Sequence, residues 1–221
     1  MVYYIQKNQN FDYSNLLIQS KYMNNKKLFL KILFVGECGV GKSSLIFRYT
    51  DQKFNEDLEF QTIGVEFIEK VIDINKESVK ICIWDTSGDK KYHKIILQCY
   101  AKSDAIYVVF DLSKRDSFIK TIEWIDSIRQ KLGQNIKIFL IGNKCDLERE
   151  VTKEEAIEFA SNQKIKYFET SAKDCICVEE IFSYLFNEIY CPENSGNFYN
   201  NDSTQKEDNS EKKDAKECII E

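Results

Sequence analysis

Proline is almost missing from this chain: Pro192 is the only one in 221 residues. It follows the last strongly helical stretch and ends it, because its ring removes a backbone donor and blocks a further turn. No apolar run approaches the roughly 18 to 20 residues that a helix needs to span a bilayer. The opening MVYYIQKNQN has neither the cationic start nor the apolar core of a secretory signal. A basic block is also lacking, since 31 Lys and Arg stand against 36 Asp and Glu for a net charge of -5. Nucleic acid is therefore not an expected partner, because its binders carry a basic footprint. Eight cysteines are present, but Cys175 and Cys177 have no second Cys/His pair at the spacing a zinc site requires. Without a secretory signal, the cysteines read as free thiols in a reducing compartment.

What is present is enough apolar material, 43% hydrophobic and 13% aromatic, for one well-buried domain with some tail. Residues 1–27 are rich in Asn, Gln, Tyr and Lys with little periodicity and read as a flexible N-terminal extension. From residue 28 the texture changes. LFLKILFVG, IYVVFD (106–111) and IKIFLIGNK (136–144) are short apolar runs ending in turn residues, the pattern of strands buried on both faces of a parallel sheet. Residues 65–84 predict a hairpin, VEFIEKVIDI and VKICIW joined through Asn75 to Ser78. VEEIFSYLFNEIY places Val178, Ile181, Phe182, Leu185, Phe186 and Ile189 on one helical face. Thr152 followed by Glu155 predicts a capped helix start. Alternating strands and helices indicate an α/β fold, an open and mostly parallel sheet with helices on both faces and ligands at the strand carboxyl ends. Residues 191–221 are polar and net acidic and read as a disordered tail.

The chemistry is carried by three loops. Gly36-Glu37-Cys38-Gly39-Val40-Gly41-Lys42-Ser43, followed by Ser44, satisfies G-x-x-x-x-G-K-[ST] between a buried strand and a helical segment. Glycines let backbone N–H groups curl around phosphate, Lys42 reaches the terminal phosphates, and the Ser43 hydroxyl is a Mg²⁺ ligand. Alone, this motif says nucleotide without saying which. Asn143-Lys144-Cys145-Asp146 follows the strand at 136–142, and a carboxylate there accepts both the N1–H and the 2-amino hydrogen of guanine. Ser171-Ala172-Lys173, after KYFET, closes the base site with backbone and lysine contacts.

Five ordered elements, GECGVGKSS, TIGVEF, WDTSGDKKY, NKCDL and ETSAK, make the chain resemble the Ras-superfamily small GTPases, and the Rab branch most of all, over residues 28–190. The resemblance implies the P-loop NTPase G domain, a six-stranded and mostly parallel sheet, alternately binding GTP and GDP with Mg²⁺. It assigns the metal to Ser43, Thr62 and, through water, Asp85. It gives catalytic roles to Lys42, Thr62, Gly88 and the residue at Asp89, and it places Phe54 on the guanine edge. Ile63, Gly64, Phe67, Trp84, Tyr92 and Cys99 fall where the family displays its effector surface. Implied partners are an exchange factor, a GTPase activator, an escort or GDI-type chaperone and trafficking effectors. The implied location is cytoplasmic, peripheral on the cytosolic face of an endomembrane.

The chain departs from the family at several places. Where the family reads D-T-A-G-Q-E, this sequence has Asp85-Thr86-Ser87-Gly88-Asp89-Lys90, replacing the glutamine that positions the attacking water. A carboxylate only accepts hydrogen bonds, so slow intrinsic hydrolysis is the expectation. Asp89 as a general base is the competing view, and it needs a raised pKa. Lys91-Tyr92 replaces Arg-Phe, Cys99 takes a place usually held by tyrosine, and the segment from Phe54 to Thr62 is one residue longer than the common pattern. The final Cys218-Ile219-Ile220-Glu221 is a C-a-a-X arrangement, which with this domain predicts lipid attachment at Cys218 and reversible membrane association. Two other readings remain: a GTP-binding interaction module with little or no hydrolysis, and a P-loop ATPase or kinase, against which the NKCD and SAK elements argue.

Overall fold

The computed structural model describes residues 29–51, 61–74 and 77–190, and the backbone of three short strands before them, residues 3–5, 22–23 and 26–27. Phe54, the start of the segment leading to Thr62, and Cys218 lie outside the described residues. The strands are β1 (Tyr3–Ile5), β2 (Tyr22–Met23), β3 (Lys26–Lys27), β4 (Phe29–Val35), β5 (Val65–Ile74), β6 (Glu77–Thr86), β7 (Ala105–Asp111), β8 (Lys137–Asn143) and β9 (Lys166–Thr170). The helices are α1 (Lys42–Asp51), α2 (His93–Cys99), α3 (Arg115–Ile119), α4 (Thr121–Leu132), α5 (Lys153–Gln163) and α6 (Val178–Tyr190), with a 3-10 turn at Lys90–Tyr92.

Buried strand runs explain the sheet. Every residue of β7 is buried, as are all but the first of β4 and of β8, so these strands sit centrally with helices over both faces. The order is β1-β5-β6-β4-β7-β8-β9. β4 pairs in parallel with β6 and β7, and β7, β8 and β9 continue in parallel. The predicted hairpin is β5 and β6, antiparallel from Val65↔Thr86 to Ile74↔Glu77. The six expected strands are joined by a seventh, because β1, within the stretch read as an extension, pairs antiparallel with the edge of β5.

Strand alternation sends successive side chains to opposite faces. Ile32 and Phe34 of β4 enter one core with Leu45, Ile46 and Tyr49 of α1 and Ile181, Phe182 and Leu185 of α6. Leu33 and Val35 enter the other with Ile96 of α2, Trp124 and Ile128 of α4 and Ala156 of α5. Thr152 caps α5 as predicted, its Oγ1 accepting from the Glu155 N–H at 3.2 Å. One expectation about cysteine is corrected: Cys177 is disulfide-bonded, while Cys38, Cys82, Cys99, Cys145 and Cys175 are free. Among the described residues no helix is long and apolar enough to cross a membrane.

Candidate nucleotide-binding site

The carboxyl ends of β4, β6, β7, β8 and β9 bring the three sequence motifs to one edge of the sheet. β4 feeds the loop from Gly36 to Gly41, and α1 starts at Lys42. Lys42 is buried, with Nζ donating to the Gly36 and Glu37 carbonyls, each at 2.8 Å. Burial lowers its pKa, opposed by the nearby Asp85 charge. The phosphate loop is fastened to the base-reading loop. Asn143 Nδ2 donates to Val40 O at 2.9 Å and Lys144 Nζ to Gly39 O at 2.8 Å. A Cβ on Gly41 would lie 2.3 Å from Asn143 Nδ2, so only glycine permits this approach. Lys144 also pairs with buried Asp111 at 2.7 Å, a strand-end aspartate that sequence reasoning missed.

At the other side of Lys42, Ser43 Oγ donates to Asp85 Oδ2 at 2.5 Å, Thr62 Oγ1 reaches the same oxygen at 3.0 Å, and the two hydroxyls are 2.7 Å apart. Asp85 Oδ1 is buried without a hydrogen-bond partner. Burial raises the Asp85 pKa, with the Ser43 hydrogen bond and the Lys42 charge opposing it. Two hydroxyls and a carboxylate with an unsatisfied oxygen are hard donors of the kind Mg²⁺ takes together with phosphate oxygens, so these residues fit the metal the sequence implied.

At the base end, Ser171 Oγ donates to Asp146 Oδ1 at 2.6 Å and accepts from the Asp174 N–H at 2.9 Å. Asn143 Oδ1 accepts from Thr170 Oγ1 at 3.2 Å and from the Ala172 N–H at 3.4 Å. Arg48 of α1, which the sequence gave no reason to single out, donates to the carbonyls of Ala172 and Lys173. Trp124 Nε1 donates to Glu37 Oε1 at 3.2 Å, while His93 meets the Trp124 ring edge-on at 5.3 Å. The phosphate loop is thus connected to the start of α2.

The segment after β6 decides how Asp89 behaves. Gly88 lies hard against the phosphate loop, since a Cβ there would sit 2.2 Å from Cys38 N. Ser87 N–H donates to Gly64 O at 2.8 Å, tying this segment to the one that carries Thr62. Asp89 caps the 3-10 turn: Oδ1 accepts from the Lys91 N–H at 3.0 Å and Oδ2 pairs with Lys91 Nζ at 2.7 Å. Its pKa is lowered, first by the Lys91 side-chain hydrogen bond, the opposite of what a general base requires.

The expected effector surface is only partly on the surface. Ile63 is 58% exposed, but Phe67 and Trp84 are 6% and 5% exposed. They stack on each other at 5.6 Å, with Lys31 Nζ 4.4 Å over the Trp84 ring. Both belong to the core beneath α2, so as placed they are packing residues, a correction to the sequence reading. Gly64 is buried, Tyr92 and Cys99 are half-buried, and Tyr100 beside Cys99 is fully buried.

A glycine-rich strand-to-helix loop, an oxygen donor set that fits a metal and the Asn143–Asp146 loop, all at the strand ends of a mostly parallel sheet, are the features of a P-loop G domain. The Ras family model matches residues 31–191. The chain is 34% identical to the Ras-related protein Rab-13 of Bos taurus, covering 86% of this chain and 95% of that protein. It is 37% identical to Rab-21 of Geodia cydonium (72% and 70%) and 39% identical to Rab-17 of Homo sapiens (72% and 76%). The chain belongs to the Ras family, as a Rab-type small GTPase. Its class of activity is that of a GTP-dependent switch in membrane trafficking.

Proposed function

We propose that this Rab-type switch hydrolyses GTP slowly on its own and therefore persists in its GTP form. The observation that supports the reading is the engagement of both Asp89 oxygens by Lys91. The family reaction is in-line attack of water on the γ-phosphate, with catalysis coming from positioning and charge stabilisation. Lys42 and the phosphate-loop amides would hold the terminal phosphates, Ser43, Thr62 and, through water, Asp85 would hold Mg²⁺, and the Gly88 N–H would meet the γ-phosphate. When bound, the metal offsets charge on the phosphate oxygens. No side chain at position 89 donates a hydrogen bond to the transition state. Ser87 is a buried residue whose Oγ accepts from the Asp89 N–H at 3.2 Å, and in this account it does not take the glutamine's place. Loss of one oriented donor typically slows such a step on the order of 100 to 1000-fold. An activator protein supplying a side chain in trans restores turnover in this account. An exchange factor, a GDI-type chaperone and trafficking effectors complete the cycle, and a lipid on Cys218 gives reversible attachment to a cytosolic membrane face. Intact mass of protein from its native cell tests the lipid, which the absence of a prenyl adduct would exclude.

Single-turnover hydrolysis of preloaded GTP with Mg²⁺, native beside Asp89→Gln and Lys91→Ala, tests the catalytic reading. The glutamine variant should be at least about tenfold faster and the alanine variant no faster than native. A native rate equal to or above that of Asp89→Gln refutes the reading.

A further inference from the structure

Arg48 lies on α1, the helix whose first residue is the phosphate-loop lysine, Lys42. Its side chain runs to the other end of the site. Nε donates to Ala172 O at 2.7 Å and Nη2 to Lys173 O at 2.9 Å. Two successive carbonyls are therefore held by one planar guanidinium, a fork that a lysine cannot reproduce.

A trans peptide points its C=O and the following N–H in opposite directions. Holding Ala172 O and Lys173 O on the α1 side therefore turns the N–H groups of Lys173 and Asp174 to the other side. The second of these is seen there, donating to Ser171 Oγ, which in turn donates to Asp146 Oδ1. By the same geometry the first faces the same way, and on the nucleotide reading it is Asp146 that takes guanine N1–H and the 2-amino group. Guanine O6 is an acceptor next to N1, and it needs a donor from this side of the ring.

We propose that Arg48 is a positioning residue for guanine selection, fixing the Ala172-Lys173 and Lys173-Asp174 peptides so that the Lys173 N–H faces O6 while the Asp174 N–H holds Ser171 against Asp146. The proposal rests on the nucleotide reading above. It also makes α1 a rigid connector, with phosphate contacts at its start and base-loop orientation set by its sixth residue after Lys42.

The test is release of preloaded GDP and of 6-thio-GDP from the full chain, native beside Arg48→Ala and Arg48→Lys. 6-thio-GDP keeps the N1–H and the 2-amino group but replaces O6 by sulfur, a weak acceptor. Arg48→Ala should speed GDP release about 10 to 100-fold, the range for a lost charge-assisted hydrogen-bond pair. It should speed 6-thio-GDP release much less, narrowing the preference between the two. Arg48→Lys, which keeps the charge without the fork, should fall between native and alanine and provides the test if the alanine variant does not fold. Equal acceleration of both nucleotides would reduce Arg48 to a structural brace, and no acceleration would remove any role in the base site; either overturns the proposal. Failure of the native chain to retain GDP would sink the nucleotide reading itself, and the proposal with it.

Discussion

Adding one methyl group at Gly88 should separate the GTP form from the GDP form. A Cβ at this position falls 2.2 Å from Cys38 N, 2.2 Å from Glu37 C and 2.6 Å from Glu37 O. Comfortable contact needs about 3.5 Å, so a displacement of more than about 1 Å is required. The obstructing atoms are all backbone, in a loop pinned by Lys42, Asn143 and Lys144. The segment bearing residue 88 must therefore retreat instead. Overpacking of this kind costs about 1–3 kcal/mol, and the cost falls only on the arrangement in which this segment closes on the phosphate loop. On the proposed cycle, in which the γ-phosphate rewards that closure, Gly88→Ala should lower affinity for a non-hydrolysable GTP analogue about 5 to 150-fold relative to GDP. Competition binding of the two nucleotides gives the ratio, and the melting temperature of the GDP form should stay close to native. An unchanged ratio, or equal losses for both nucleotides, would refute the argument that residue 88 is free to retreat in the GDP form.

Three further substitutions probe what holds the site in place. Phe182→Ala removes a ring stacked on Tyr49 at 3.6 Å and in contact with Phe34, Tyr107 and Phe186; it should cost about 3–5 kcal/mol in denaturant unfolding, and a loss under about 1 kcal/mol would mean the core collapses around the gap. Lys31→Met leaves the Cys99 and Ala101 carbonyls without the ammonium that donates to them at 2.6 and 2.9 Å, and should cost about 1–3 kcal/mol with faster amide exchange in α2. Thr152→Ala removes the α5 cap and should cost about 1 kcal/mol with no change in nucleotide release, which makes it a control for the other two.

Legibility followed the range of each interaction. Phosphate binding by backbone and base reading by a carboxylate restrict residue types at short, fixed spacing, so Gly36 to Ser43 and Asn143 to Asp146 could be read directly. Central strands were equally legible, because burial on both faces demands unbroken apolar runs such as Ile106 to Phe110. Contacts distant in sequence were not. Arg48 meets residues 124 and 125 positions away, and a lone arginine in a helix carries no local signal of that. Phe67 and Trp84 illustrate a different limit: the same aromatic pair serves a surface or a core, and only the packing of α2 and Lys31 over it decides. Strand β1 lies in a stretch with too little periodicity for a three-residue pairing to be foreseen. The partner of Asp89 was not legible either. Aspartate before a 3-10 turn is a common cap, and the cation that lowers its pKa is two residues away, at Lys91.

These contacts divide the site into a heavily braced, fixed half and a lightly braced half that the proposed cycle makes movable. The fixed half joins the phosphate loop, the base loop and the Ser171 loop through Asn143, Lys144 and Arg48, with bonds anchored in central strands and α1. The movable half is held by a small set of short contacts that the metal and γ-phosphate would rearrange: Ser43, Thr62 and Asp85 around one carboxylate oxygen, and Ser87 on Gly64. The departures at Ser87, Asp89, Lys90, Lys91 and Cys99 all fall in or beside the movable half, while the fixed half keeps the motif residues intact. On the proposed reading, nucleotide identity and retention would therefore be set by parts that match the family. How long the GTP form lasts and which surfaces it shows would, on the same reading, be set by the parts that do not, and Asp89 bound to Lys91 would link the two, because the contact that engages both carboxylate oxygens also shapes the turn leading into α2.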